Sequence, residues 1–126
     1  MDLTVSLETK KKGLREKVVA ASSGFFIGII YLKLPGLKEK LPAEVIDNLD
    51  RVYEYNYPTK ENAKKLWLPA EIEKTFLPIQ KALDELDFAE PKAKEDLTWD
   101  KKYVVQILEL AKIAKKHKLK LWMSIG

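Results

Sequence analysis

The chain offers few side chains that could carry out catalysis. His117 is its single histidine, and it has no cysteine. One histidine can be the base of only one Ser-His-Asp triad, and neither a two-histidine metal site nor a cysteine-ligated zinc site can form. No nucleophile elbow or glycine-rich phosphate loop occurs either. We therefore predict a protein that is not an enzyme, with no catalytic residue, no metal site and no cofactor.

His117 itself follows an apolar helical pattern and lies among lysines. At the end of a helix, an imidazolium interacts favourably with the negative end of the helix dipole. We expect this histidine to cap a helix and to be dispensable for function.

A row of carboxylates is the first candidate site for binding. Glu44, Asp47, Asp50 and Glu54 recur at steps of three and four residues, interrupted only by Arg51. On a helix, this spacing places them in one exposed row, opposite the apolar stripe of the same segment. Such a row is usually just a solvated face, but its fixed spacing would also complement a basic protein surface.

Three tyrosines, Tyr53, Tyr55 and Tyr57, leave the same segment in "VYEYNYP". Tyrosine has a large, stiff contact surface with one polar group, so it is enriched at protein interfaces. One or two of the three must cover the core. Combined with the carboxylates, the rest predict a partner-binding site made of Asp47, Asp50, Glu54, Tyr55 and Tyr57.

Two lysine clusters indicate an alternative, nucleic-acid binding. They are "KKKGLREK", residues 10–17, and "KKHKLK", residues 115–120. Lysines of this density can contact phosphates. No zinc-finger or RRM sequence is present, however, and the aromatic residues are not interleaved with the lysines as base stacking requires. A solvated lysine face is the simpler interpretation.

Composition narrows the class of protein further. The chain has 126 residues, of which 46% are hydrophobic and 33% charged, with a net charge of +4. This is typical of one globular domain spanning residues 1–126, long enough to bury a core. The lack of cysteine and of any Asn-X-Ser/Thr sequence favours the reducing cytoplasm.

The elements that must position these residues begin with two strands. "LTVSL", residues 3–7, and "LKLWMSI", residues 119–125, both alternate apolar and polar residues, as half-buried strands do. Because two strands alone make a marginal sheet, a third strand is expected.

The stretch "SSGFFIGIIYL", residues 22–32, is the candidate for that strand. With the apolar residues before it, the run from Val18 to Leu32 has 15 residues, too short for a membrane span of about 20. Its apolar residues fit a helical stripe, but Gly24 and Gly28 disfavour a helix and Phe and Ile favour a strand. We predict a helix over Lys11–Ser23 and a central strand over Phe25–Leu32, parallel to the first strand. A helix over residues 24–32 remains the alternative.

The middle of the chain is helical. Leu-Pro-Ala-Glu begins both residues 41–55 and residues 68–86, and proline suits the first helical turn. We expect the second helix to kink or restart at Pro78, and a short helix over residues 60–66 between the two. Residues 88–98 are expected to be a polar loop that ends at Thr98, the N-cap of a widely apolar, central helix over Trp99–His117.

These elements predict an α+β fold: a single, helix-rich domain in which a sheet of two to three strands packs against four to five helices. The two chain termini form the sheet, with residues 25–32 as its possible third strand. The function expected first is a small cytoplasmic protein-binding module that occludes a protein partner, as an inhibitor, immunity protein or antitoxin does. That partner could be a basic toxin or enzyme. Nucleic-acid binding is the first alternative, and an enzyme without a recognisable motif is the second.

Overall fold

The computed structural model describes residues 3–7, 18–21, 23–54 and 66–125 of the chain. These residues form a three-stranded sheet and four α-helices, and the first helix continues directly into a π-helical turn. In chain order the elements are β1 (Leu3–Leu7), β2 (Val18–Ala21), α1 (Ser23–Phe25), the π-turn (Phe26–Ile30), a 3-10 turn (Lys38–Lys40), α2 (Ala43–Glu54), α3 (Pro69–Asp84), α4 (Pro91–Lys116) and β3 (Leu121–Ile125).

The strands near the two chain ends pair in one sheet, as the sequence predicts. The strand order is β2-β1-β3, and both pairs are antiparallel. Leu3 lies opposite Ile125 and Leu7 opposite Leu121. Leu3 and Val5 are fully buried while Thr4 and Ser6 are less so, which is the expected alternation of a half-buried strand.

The prediction of a central parallel strand over Phe25–Leu32 is wrong. The third strand is Val18–Ala21, antiparallel to β1, so this part of the predicted helix over Lys11–Ser23 is also wrong; residues 11–17 lie outside the described residues. Phe25 and Ile29, four residues apart, are both fully buried. The helical spacing of the apolar side chains therefore outweighed the two glycines and the β propensity, because it buries one continuous face.

The central helix α4 begins at Pro91, eight residues earlier than predicted, so residues 91–98 are not a loop. Proline lacks an N–H and suits the first turn of a helix, and Pro91 is the start signal that the prediction overlooked. Thr98 is not an N-cap: its hydroxyl donates a hydrogen bond of 3.0 Å to the carbonyl of Lys94 inside the helix.

Helix α3 runs through Pro78 without restarting. The predicted short helix over residues 60–66 lies outside the described residues except for Leu66, which is not helical.

Helix α4 lies at the centre of the fold, as expected. It contacts α3, α1 and the strands β1 and β2. Its buried residues come from a broad apolar face, with one acidic exception: Leu97, Asp100, Val104, Ile107, Leu108, Leu110, Ala111 and Ala114. Of the helices in the described part of the chain, none is long and apolar enough to cross a membrane.

Candidate functional site

The predicted acidic row lies where the sequence placed it, on the exposed face of α2. Glu44, Asp47 and Asp50 are exposed, while Val45 and Leu49 of the same helix are buried. Within the described residues, no ion pair or side-chain hydrogen bond engages these three carboxylates.

The remaining residues of the predicted site are not placed by the structure. Glu54 is the last residue of α2, and its side chain is not among the described atoms. Tyr55 and Tyr57 lie outside the described residues. Their association with Asp47 and Asp50 stays a prediction.

Arg51, which interrupts the acidic row, points instead toward α3. Its guanidinium donates a hydrogen bond of 2.8 Å to Glu71 and lies 4.0 Å from the ring centroid of the buried Trp67. Burial of the Glu71 carboxyl raises its pKa, but hydrogen bonds from the Leu68 N–H and from Arg51, and the charge of Arg51, outweigh burial and hold the pKa below its usual value. Arg51 therefore fixes α2 to α3 and is not part of a free binding surface.

A cleft that the sequence did not predict lies between α4 and the segment formed by α1, the π-turn and the loop after it. It measures about 600 Å³, within the usual range for ligand sites. One wall is the N-terminal half of α4, and the other is α1 with the π-turn and the loop after it. Its lining is largely apolar and aromatic, with two lysines and two aspartates: Gly24, Phe25, Ile27, Gly28, Lys33, Leu34, Pro35, Lys92, Asp96, Trp99, Asp100 and Tyr103.

Asp100 is the distinctive residue of this cleft. The residue is 6% exposed, yet among the described residues nothing donates a hydrogen bond to its carboxyl or forms an ion pair with it. Burial, and secondarily the negative charge of Asp96 one turn earlier, raise the pKa of Asp100 to about 7. A carboxyl whose pKa is raised by burial and that lines a cleft makes this cleft a candidate functional site.

The sequence places Asp100 on the buried face of α4. Leu97, Asp100, Val104, Ile107 and Ala111 follow one another at steps of three and four residues, so they lie on one stripe of the helix. A charged residue in an otherwise apolar stripe is the signal that could have identified the site. The prediction missed it because it started the helix at Trp99 and so cut off the stripe's first turn.

Gly28 in the π-turn lies beside the Asp100 carboxyl on the wall of the cleft. A Cβ at Gly28 would lie 3.8 Å from Oδ2 of Asp100 and 3.8 Å from Cβ of Leu34, which is ordinary van der Waals contact. A methyl group at this position would therefore touch the carboxyl without displacing it. A π-turn at such a place is common in functional sites, since it re-aims the residues beside it.

The loop after the π-turn is held tightly against it. The N–H of Lys33 donates to the carbonyl of Ile27 at 3.3 Å, and the N–H of Leu34 donates to the carbonyl of Gly28 at 3.1 Å. Leu32, the residue before Lys33, has φ of 56°, and this backbone conformation costs a residue with a side chain about 1–2 kcal/mol. Strain of this kind is often found beside binding sites, where the fold holds a residue in place.

Aromatic rings form the α4 side of the cleft. The rings of Trp99 and Tyr103 lie 6.1 Å apart, and Phe25 meets Tyr103 edge-on at 5.5 Å. The ammonium group of Lys102 lies 4.9 Å from the centroid of Trp99, a cation–π contact. At the cleft's edge, Ile27 and Trp99 are 50% and 48% exposed, so large apolar surfaces meet water there.

The charged groups around the cleft are unequally engaged. Lys92 and Asp96 form an ion pair of 3.5 Å at the surface of α4. Lys33 is exposed on the opposite wall and has no ion-pair partner among the described residues. Asp100 can accept hydrogen bonds from a cation when ionised and can donate one when protonated.

The other candidates from the sequence do not add to this cleft. His117 is the C-cap of α4, as predicted, and lies fourteen residues after Tyr103, which is about 20 Å along the helix. Within the described residues, no group of three potential ligands could hold a metal ion. Of the lysine clusters, residues 10–17 lie outside the described residues, and Lys115 forms an ion pair of 3.7 Å with Glu73.

Comparison of the chain with protein-family models, with curated proteins and with solved structures finds no match. The function of the protein is therefore inferred from two of its features, the cleft and the exposed acidic face of α2.

Proposed function

We propose that the protein is a binding module that occludes a protein partner, and that the cleft beside Asp100 is the centre of its contact surface. One observation carries this proposal. Two large apolar side chains, Ile27 and Trp99, are about half exposed at the edge of a cleft lined by the carboxyl of Asp100, which no described residue pairs with.

The apolar edge has the character of an interaction hot spot. Tryptophan dominates such surfaces because it combines a large area with few rotatable bonds. Covering the exposed half of Trp99 removes about 100 Å² from water, worth about 2–3 kcal/mol. A pocket next to this anchor accepts a partner side chain and excludes water from the contact.

The acidic row on α2 would support the same function at longer range. Asp47 and Asp50 are exposed and unpaired among the described residues, so their charge is available to a basic partner. Such charge speeds association and makes it sensitive to salt. We propose that Glu54, Tyr55 and Tyr57 extend this face, and that the protein meets its partner in a reducing compartment such as the cytoplasm.

The proposal is tested by recovering partners from the source cell with the tagged protein and with matched variants. Trp99→Ala removes the anchor, and Val105→Ala removes an apolar side chain that is 41% exposed on the same helix but does not line the cleft. We expect a protein partner that the unaltered chain and Val105→Ala recover and that Trp99→Ala loses.

Nucleic-acid binding predicts a different outcome in the same experiment. Replacing Lys115, Lys116, Lys118 and Lys120 with glutamine would then abolish recovery of nucleic acid and flatten its dependence on salt. Replacing Asp47, Asp50 and Glu54 with lysine should instead slow association with a basic protein partner. Lysine-dependent recovery of nucleic acid, with no protein partner that depends on Trp99, would refute the proposed function.

A further inference from the structure

We infer that the cleft accepts a lysine side chain of the partner, whose ammonium group pairs with the Asp100 carboxylate while its methylene chain lies along Trp99 and Tyr103. This inference rests on the proposed function and names the chemical group that the cleft recognises. It can fail while the proposed function stands, because it concerns one side chain of the partner and is tested without the partner.

Asp100 offers an acceptor inside the cleft. The residue is 6% exposed, it lines the cleft, and no described residue pairs with its carboxyl. Its carboxyl oxygens are not fully enclosed, since they are not among the buried polar atoms that lack a partner, and the residue lines the cleft. A donor that enters the cleft from outside the chain can therefore reach the carboxyl.

The walls of the cleft are largely apolar and aromatic. Phe25, Ile27, Leu34 and Pro35 are apolar, and the aromatic rings of α4 face them across the cleft. A side chain that is apolar along its length and positively charged at its tip fits this cleft, because the tip can pair with the ionised Asp100 carboxyl. Lysine has this structure, since its four methylene groups pack on apolar surface while the ammonium group carries the charge.

Lys102 of the same chain shows that the Trp99 ring can contact an ammonium group. Its ammonium group already lies 4.9 Å from the ring centroid of Trp99, so this indole ring binds an ammonium group in the structure. Because two ammonium groups repel each other, a partner's ammonium group would be held by the Asp100 carboxylate, and its methylene groups would contact the aromatic rings.

Lysine fits better than arginine. A guanidinium pairs with a carboxylate best when its planar fork reaches both carboxylate oxygens in one plane. Asp100 is only 6% exposed, so little of its carboxyl can be reached from the cleft. An ammonium group is compact and its three donors turn freely, so it needs less of the carboxyl to be accessible.

The charged groups that face Asp100 set the expected dependence on pH. From α4 these are Asp96 with its partner Lys92, and the phenol of Tyr103; from the loop the cleft is lined by Lys33. Asp100, whose pKa is about 7, changes its charge between pH 6 and pH 8. An ammonium group binds its ionised form, so affinity should rise with pH across this range by up to about tenfold.

The test is a titration of the ¹⁵N-labelled protein, followed by amide and indole chemical shifts, with N-acetyl-lysine N-methylamide. The matched probe is N-acetyl-norleucine N-methylamide, which has the same chain length without the ammonium group. At pH 8 we expect the lysine probe to bind at least about tenfold more tightly, as a charge-assisted hydrogen bond allows. The shifts should centre on Ile27, Gly28 and the Trp99 indole.

Three variants make the result specific. Asp100→Asn should remove the preference for lysine over norleucine, and Gly28→Ala should weaken binding of the lysine probe because its methyl group would lie 3.8 Å from Oδ2 of the carboxyl, where the probe must approach. Glu95→Gln, which removes an exposed carboxyl from the same helix, should change neither. Further arms use N-acetyl-arginine N-methylamide and n-butylammonium, which we expect to bind more weakly than the lysine probe.

Several results would overturn the inference. They are equal binding of the lysine and norleucine probes, a lysine preference that survives Asp100→Asn, no binding of any probe, or tighter binding of the arginine probe or of n-butylammonium. The last result would assign the cleft to a free amine instead of a partner's side chain. If a Trp99-dependent protein partner is recovered while the lysine probe fails, the proposed function stands and this inference does not.

Discussion

Replacing Asp100 with asparagine should stabilise the fold at neutral and alkaline pH. Asparagine has nearly the same shape but no charge, so it removes the need to bury an unpaired carboxylate. The pKa of this carboxyl rises from an ordinary value of 3.8 to about 7, first because of burial and then because of Asp96. The folded protein therefore binds more protons than the unfolded chain between these two values.

The sign and size of the effect follow from proton linkage. Where the folded state binds more protons, the free energy of unfolding falls as pH rises, so stability is lost between about pH 4 and pH 7. The full difference in pKa corresponds to about 4 kcal/mol. Because the carboxyl faces a cleft that is open to water, solvent screening reduces this, and we expect about 1–3 kcal/mol.

The measurement is urea denaturation, followed by circular dichroism, at pH 5 and pH 8. In the unaltered protein, Asp100 lowers the free energy of unfolding as pH rises, and Asp100→Asn should lack this effect. The free energy of unfolding of the variant should therefore exceed that of the unaltered protein by about 1–3 kcal/mol at pH 8 and by much less at pH 5. Glu95→Gln is the control for removing one negative charge from the same helix. A variant that is equally or less stable at pH 8, or a gain that Glu95→Gln reproduces, would show that Asp100 is not a buried, unpaired carboxyl.

Three further predictions concern the ends of the elements. Lys118 follows the C-cap of α4 with φ of 56°, so Lys118→Gly should relieve the strain of that backbone conformation and raise the free energy of unfolding by about 0.5–1 kcal/mol, measured by urea denaturation. Gly36 has φ of 84°, and a Cβ there would lie 3.2 Å from Cδ2 of Leu86, so Gly36→Ala should lower the melting temperature and destabilise the fold by about 1–2 kcal/mol. His117→Gln should lower stability by well under about 2 kcal/mol and leave partner binding intact, since this residue caps a helix far from the cleft; complete loss of function with the fold intact would instead favour an enzyme.

Predictions from the sequence succeeded where the pattern is local and repeated. The alternation in residues 3–7 and 121–125 identified two strands of the sheet, and the spacing of Val45 and Leu49 identified the buried face of α2. The same spacing put Asp47 and Asp50 on the opposite, exposed face. These features depend on the period of side chains along one element, which the sequence contains in full.

The predictions failed where two local preferences compete. Residues 25–30 contain β-forming side chains at helical spacing, and only packing decides between the two. Burial of Phe25 and Ile29 against the rest of the core selected the helical arrangement, and pairing with β1 made a strand of residues 18–21. A prediction from one sequence cannot compare these contacts, because the residues that contact each other are far apart along the chain.

The sequence alone determined three features of this protein: a composition with one histidine and no cysteine, the two terminal strands, and the acidic face of α2. The cleft was decided only by the tertiary structure. Asp100 is an ordinary aspartate in the sequence, and it becomes a buried carboxyl with a raised pKa because the π-turn and its loop, more than sixty residues earlier, pack against that turn of α4. Burial is a property of the whole fold, since it depends on which distant segment removes water from a side chain, and no local pattern contains that information.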